Sequence, residues 1–428
     1  MYDRSESPPR GIDRRDLLKA TAAFGAVAAA PSWLAAPETA IAARRHRAHH
    51  RILQPGEGPR PGIYVRATLE TIRWGRLPDR LSKPIETVRS GAVVTFDTVS
   101  HEGILEDQGR DPVAYFASKG VPARHVLRDA RAIAGSDLPH DFANDGPHIV
   151  VGPVAVAGAE PGDVLRVDVL RLLPRVPYAV ISNRHGTGAL PGEYPQGPPP
   201  DPAASPQRPE LYHNVSIFTR LRRRRGREVM VLPVNRRRRA EYPFRPFLGT
   251  MGVALDTDQS TNSVPPSDAG GNLDINDLQV GSALYLPVMV PGAKFYVGDP
   301  HFAQGDGEVA LTAAEGSLRA TLRLTLIKHG SHRIPGRRPT LTTPFVETPA
   351  HWIPVGLDED LDEAMKKAVR EAIAFLHGEF GMPKARALAY LSAATNFAVG
   401  EVVDRVKQIH GHIVKDHFVR TPRRGHRR

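Results

Sequence analysis

Short apolar runs rich in β-branched residues and bounded by glycine and proline recur along most of this chain. Gly91 to Val99, His148 to Val156, Val164 to Leu173 and Tyr178 to Ser182 have the length and pattern of strands. A second set follows at Ala283 to Val290, Lys294 to Val297, Glu308 to Thr312 and Ser317 to Lys328. Between the two sets, the proline-crowded stretch from Gly192 to Pro209 and the arginine-rich segment up to Arg239 read as surface insertions. Helical spacing dominates from about Asp358 to His377, where Leu361, Met365, Ala368, Val369, Ala372, Ile373 and Leu376 share one face. Asp362 with Lys366 and Glu363 with Lys367 add acid-before-base pairs four apart, and Gly378 follows the last apolar residue. A second helix is expected over Lys384 to Ala394. The pattern therefore predicts a mainly β protein: a sandwich or barrel body over 61–340 with insertions at 192–239, then an α+β unit over 341–417 that reads as structural.

Composition narrows the classes. At 428 residues the chain exceeds the size of a single core, and 40 Pro with 38 Gly favour strands and turns over long helices. The formal charge of +11 is concentrated at 44–51, 222–225, 236–239 and 420–428, which read as solvated loops and tails (a basic linker at 43–60, a basic tail at 418–428). No helix-turn-helix, zinc-finger or aromatic RNA-binding pattern accompanies them, so nucleic acid is not an expected partner. Weak association with anionic surface polymers or lipid headgroups is the functional reading that remains. Cysteine is absent, which removes disulfides, thiolate metal sites and cysteine nucleophiles together.

The N-terminus changes the expected location. Asp13-Arg14-Arg15-Asp16-Leu17-Leu18-Lys19 reads as a twin-arginine export motif, followed by an alanine-rich stretch from Ala20 to Ala36 and a small-x-small cleavage pattern at Ala40-Ile41-Ala42. Residues 1–42 are thus expected as a signal peptide. Pro31, Pro37 and Glu38 cut its apolar run below the ~20 residues of a membrane span, and nothing downstream is apolar enough to cross a bilayer. An exported protein at the periplasm, cell surface or outside the cell is the expectation.

Four segments carry a family pattern: HIVVGPVAVAGAEPGDVL at His148 to Leu165, PFLGTMGV at Pro246 to Val253, GGNLDINDLQVGSALYLPVMV at Gly270 to Val290, and GDPHFAQGDGEV at Gly298 to Val309. With LDEDLDEAMKKAVREAIAFL at Leu357 to Leu376, their order and spacing resemble the acetamidase/formamidase family over roughly Gly91 to Lys415. The resemblance implies a mainly β enzyme that cleaves formamide, acetamide or related small amides to acid and ammonia. It also implies a divalent metal, zinc first, with calcium or another ion as alternatives. A homo-oligomer is the expected assembly.

Asp299-Pro300-His301 and Gln304-Gly305-Asp306-Gly307-Glu308 gather an imidazole, a carboxamide and carboxylates among glycines, the ligands a divalent ion needs where sulfur is unavailable. His301 and Asp306 are expected metal ligands, Glu308 the general base and Gln304 a substrate contact, although Asp306 and Glu308 are interchangeable at this level. The bland alternative is a turn in which both acids merely hold loop amides. Asp97, at the end of a strand, and His101, four residues on, form a further candidate ligand pair; in many relatives the first position is acidic, while Ser100-His101-Glu102-Gly103 departs from the commoner family pattern. His148 opens the family's His-x-x-x-Gly-Pro pattern and is a candidate ligand. His185, in Asn183-Arg184-His185-Gly186, is a candidate substrate contact. Asn272 and Asp274 are two apart and would share a face if extended, with Gly271 offering backbone N–H to an oxyanion; Asp274 is the second catalytic candidate. Ser267-Asp268-Ala269 stands where many relatives carry basic residues.

Hydrolysing an amide requires a strong nucleophile and a stabilised oxyanion. The Glu-Lys-Cys route fails for want of cysteine, and neither a Ser-Ser-Lys signature nor a Gly-x-Ser-x-Gly elbow is present. Water activated by a metal is the route left, since a divalent ion lowers its pKa from 15.7 to about 7. The rival readings are a non-catalytic exported binding protein on the same scaffold and a hydrolase of cyclic or larger amides.

Overall fold

A computed structural model describes residues 51–419; the expected signal peptide, the first part of the basic linker and the basic tail from residue 420 on lie outside them. Two open sheets form the body. The larger runs Ile63–Val65, Ala92–Asp97, Leu318–Ile327, Val164–Pro174, Ala283–Pro287, Phe345–Glu347, His351–Asp358, Lys407–Val414 and Asn396–Glu401 in spatial order. The second runs Gly270–Asn272, Phe247–Gly252, Phe295–His301, Ile149–Val156 and Ile72–Trp74, with Glu86–Val88 also pairing Ile149–Val156. Mainly β architecture is as expected. Both strand orders end in free edges, so no barrel closes.

Strands at the centre are apolar because they are covered on both faces: every residue of Ile149–Val156 and Phe295–His301 is buried. Phe96, Phe247, Phe295, Val151 and Leu322 share the core between the sheets. The helix Leu361–Phe380 lays Ala372, Phe375 and Leu376 against Tyr285, Phe345 and Ile413. Asp360 caps it by accepting from Glu363 N at 3.0 Å. The helix runs past the expected stop at Gly378 and closes at Gly381, which takes the left-handed conformation at φ 64°. Gly378 has a packing role instead, because any Cβ there would collide with the Gly336 carbonyl.

Two expectations need correction. The arginine-rich insertion is not all loop: Val215–Arg224 and Arg227–Pro233 form a hairpin in a four-stranded sheet with Tyr178–Asn183 and Arg239–Pro243. Only Thr219 and Leu221 of its first strand are buried, so its alternation is short and masked by arginines. Glu308–Thr312 is not a strand but a series of turns, and Glu308 sits at φ 45°, outside the extended region.

Candidate active site

The second sheet delivers two side chains to one face. Asp299 and His301 are two apart in Phe295–His301, and their side chains meet there. Opposite them stand His101, in the loop after Ala92–Asp97, and His148, one residue before Ile149–Val156. His101 Nδ1 and His148 Nε2 each lie 3.8 Å from Asp299 Oδ1, and the two rings meet edge to face at 5.6 Å. His148 Nδ1 is 2.9 Å from Ser263 Oγ, which leaves Nε2 facing the cluster.

His301 links this group to a second one. Its Nε2 is 2.9 Å from Asp299 Oδ2, 3.0 Å from Glu315 Oε1 and 4.0 Å from Glu308 Oε1, while Asp274 Oδ1 stands 3.6 Å from Nδ1. Gln304 orients the ring: its amide N donates to the carbonyls of Asp274 and Gly400, so its Oε1 is aimed at His301 Nδ1, 2.9 Å away. Asn272 accepts from Thr250 Oγ1 and donates to Asp404 Oδ2, both at 2.7 Å. Glu401 in turn accepts from the backbone N–H of Val403 and Asp404. Asp274, Asp299 and Glu308 all hold left-handed backbone, with φ of 48°, 51° and 45°. Such conformations cost about 1–3 kcal/mol each and persist where the surroundings over-determine them.

Electrostatics follow from burial and crowding. Burial holds His148 down to about 4, helped by the charges of His101 and His301, so it is neutral with a free lone pair. Burial also opposes charge on His301, yet Asp299 and Glu315 overcome it and keep the ring protonated. Asp299 remains ionised: burial works against it, but the imidazoles around it, His301 first, prevail. Burial, then the neighbouring Asp274 carboxylate, pushes Glu308 well above the usual range, and burial with Asp274 and Asp299 does the same to Asp404. Beside the cluster, Arg184 clamps two buried acids, Glu102 at 2.9 Å and Asp107 at 2.8 Å, and holds Glu102 ionised against its burial.

These side chains wall a cavity of about 530 Å³ that His101, His148, Asn272, Asp299, Glu308, Glu315 and Asp404 line on one side. Leu105, Phe142, Tyr212, Val264 and Val403 supply apolar wall, and Arg184 and His185 also line it.

Of the expected site residues, the structure brings together His101, His148, His301, Asp274, Glu308 and Asn272, with Gln304 behind His301 and His185 on the cavity wall. Three fall elsewhere. Asp97 is buried in an ion pair with Arg319, at 2.6 and 2.9 Å, and also meets Arg175 and Tyr64, so its oxygens are already satisfied. Asp306 is exposed and accepts from Asn276 Nδ2 at 2.8 Å. Gly271 sits in the edge strand Gly270–Asn272, paired with Met251, and does not line the cavity. Asp299, Glu315, Asp404 and Glu401 were not singled out. The spacing of two from His301 signalled Asp299; nothing in the sequence signals Glu315 or the tail acids, and the tail is therefore part of the site wall rather than purely structural.

The donor set fits a cation. His101, His148 and Asp299 form one group whose ligand atoms all lie within 4.8 Å of one another; Asp299, His301 and Glu315 form another, and Asp274, His301 and Glu308 a third. Both ring nitrogens of His101, Asp299 Oδ1 and Glu315 Oε2 are buried without a hydrogen-bond partner, and buried polar atoms are normally paired. A Cβ at Gly249 would enter the same space, overlapping Asp299 Oδ2.

A β scaffold with buried imidazoles and carboxylates around a closed-in cavity defines a class, proteins that can hold a divalent ion beside a small-molecule pocket. Within that class the comparisons are specific. Residues 238–411 match the acetamidase/formamidase family. An acetamidase of Mycolicibacterium smegmatis is 29% identical over 204 residues, 39% of this chain and 50% of that protein; a formamidase of Methylophilus methylotrophus is 32% identical over 148 residues, 32% and 36% of the two chains. The solved acetamidase of Bacillus halodurans shares the fold, with a TM-score of 0.62 at 22% identity over 83% of this chain and 98% of that one. Over residues 238–411 the chain is thus similar to the acetamidase/formamidase family. It spans about half the length, or less, of the curated relatives it matches.

Proposed function

We propose that this chain hydrolyses a small carboxylic amide to the acid and ammonia at the His101–His148–Asp299 cluster. The observation that carries the proposal is the convergence of two buried histidines, His101 and His148, and four buried acids, Asp299, Glu308, Glu315 and Asp404, on one cavity, with buried His301 and Asp274 against them, in a chain whose relatives include an acetamidase and a formamidase. The acids exceed the imidazoles in number, and burying that much negative charge calls for a cation or protons. His101, His148 and Asp299 would hold a divalent ion, zinc being the ion this nitrogen and oxygen set suits. When bound, such an ion supplies Lewis-acid polarisation of a carbonyl and acidifies water.

The chain's own residues do the rest. Glu308, facing the cavity in a conformation fixed at φ 45°, takes the proton of the attacking water and delivers it to the amide nitrogen, so that the C–N bond breaks with ammonia leaving and the acyl carbon keeps the new oxygen. Burial, then the Asp274 carboxylate, raises its proton affinity, the direction that strengthens a carboxylate as a base. Gln304 keeps His301 in one orientation, and Asn272 keeps Asp404 beside the cavity.

A second reading concerns the acyl group. Pockets of about 300–1,000 Å³ take ligands far larger than formamide. The 530 Å³ volume with Leu105, Phe142, Tyr212 and Val264 on its wall favours an amide with an apolar acyl substituent. Ammonia release from formamide, acetamide, longer aliphatic amides, an aromatic amide and a lactam tests both readings: release from longer linear amides above formamide supports the second, and no release from any of them by folded, zinc-supplied protein removes the first. We also propose export through the twin-arginine route; replacing Arg14 and Arg15 by Lys should leave the precursor inside the cell, and normal secretion of that variant would remove the assignment.

A further inference from the structure

A second cluster lies outside the cavity. Strand Lys407–Val414 places His410 and His412 two apart, on one face. Facing them is Asp277, in the turn that follows Asp274. His412 Nε2 is 2.7 Å from Asp277 Oδ2 and His410 Nε2 is 3.6 Å from the same oxygen. The imidazole rings of the two histidines stand 4.9 Å apart, nearly perpendicular. One donor atom from each of the three residues falls within 4.8 Å of the others. None of the three lines the cavity of the candidate active site.

His410 is the informative member. Its side chain is fully buried, and its Nε2 has no hydrogen-bond partner although it points at a carboxylate too distant to accept from it. Its Nδ1 lies 3.1 Å from Gln408 Oε1, so that nitrogen donates and Nε2 carries the lone pair toward Asp277. A buried lone pair without a partner is costly, and a pair of imidazoles with one carboxylate is the donor set of first-row divalent ions. Partial exposure of Asp277 and His412 leaves solvent access for the remaining position.

We propose that Asp277, His410 and His412 form a second divalent-metal site, suited to zinc, that ties the turn carrying Asp274 to the C-terminal strand Lys407–Val414. The proposal stands independently of the amide reading. Asp277 and His412 are 135 residues apart in sequence, so an ion there joins the turn after Asp274 to the C-terminal strand that follows Asp404.

The test is zinc binding by chelator-stripped full-length protein, followed by titration calorimetry. Asp277→Ala and His412→Ala should each bind one equivalent fewer than wild type, whereas His101→Ala, in the other cluster, should keep that equivalent. Gln408→Leu should retain the stoichiometry but bind that ion about 10–100-fold more weakly, as expected for a positioning residue. Wild-type stoichiometry and affinity in both Asp277→Ala and His412→Ala would overturn the site. Because either variant could lose structure, wild-type crystals soaked in zinc provide a second readout: anomalous density between Asp277, His410 and His412 is expected, and zinc in the other cluster with none here would overturn the proposal.

Discussion

Gly249→Ala probes the cluster with a single carbon. Gly249 lies in the buried strand Phe247–Gly252, and its φ is outside the left-handed region, so alanine meets no backbone penalty there. Its new Cβ would nevertheless overlap Asp299 Oδ2, stand 2.5 Å from Asp274 Oδ1 and lie 2.8 Å from His301 Cε1. Non-bonded atoms prefer about 3.5 Å or more, so the Asp274 oxygen must retreat by roughly 1 Å and Asp299 further. Displacement of about 1 Å at a reacting centre costs on the order of 10²-fold in rate, and overpacking costs about 1–3 kcal/mol of stability. We expect the turnover number for the preferred amide to fall about 100-fold with a modest loss of melting temperature. Gly305→Ala serves as the control, because Gly305 has open space around its Cα and ordinary φ, and it should behave as wild type. Ammonia release and thermal melting by circular dichroism read both effects. A folded Gly249→Ala protein with turnover within twofold of wild type would show that Asp299, Asp274 and His301 do not form the reacting centre.

Glu308→Gln keeps size and polarity but cannot take a proton, so turnover should drop by about 10²–10⁴-fold with substrate binding retained; an unchanged rate would remove Glu308 as the base. Asp306→Asn should leave turnover unchanged and unfolding free energy within about 0.5 kcal/mol, because Asp306 is exposed and outside the cluster; loss of activity would return it to the site. Arg184→Met strands two buried carboxylates and should cost about 3–5 kcal/mol near neutral pH by denaturant unfolding. Glu102 has its proton affinity lowered by Arg184 in spite of burial, so its contribution is present above the unfolded value of about 4.3 and is lost as pH falls below it. The stability gap between wild type and Arg184→Met should therefore narrow on acidification, and a gap that widens instead would contradict the pairing.

Periodicity made much of this fold readable. The run Ile149–Val156 is apolar throughout because both faces are covered, and the helix beginning at Leu361 carries its stripe at helical spacing. Where the signal failed, a physical reason is visible. The hairpin Val215–Pro233 buries few residues and is crowded by arginines, so its alternation is weak. Glu308 falls in a run that looks extended, yet the site needs left-handed backbone there, a demand set by distant neighbours. Asp97 ends a strand as a ligand might, but its partner Arg319 is 222 residues away and only the pairing of Ala92–Asp97 with Leu318–Ile327 brings them together. For the same reason the histidines and Asp274 could be named from motifs, whereas Glu315 and Asp404 became members only once the sheets and the tail had closed around the cavity.

Amide hydrolysis at this cluster is proposed to depend on a divalent ion. Its most direct test is ammonia release from one linear amide, acetamide or a longer homologue, by full-length protein before stripping with a chelator, after stripping, and after zinc is restored. Release is expected before stripping, little or none after it, and recovery with zinc. Undiminished release by protein shown to be free of metal, or no release from folded, zinc-loaded protein with either amide, would contradict the proposal.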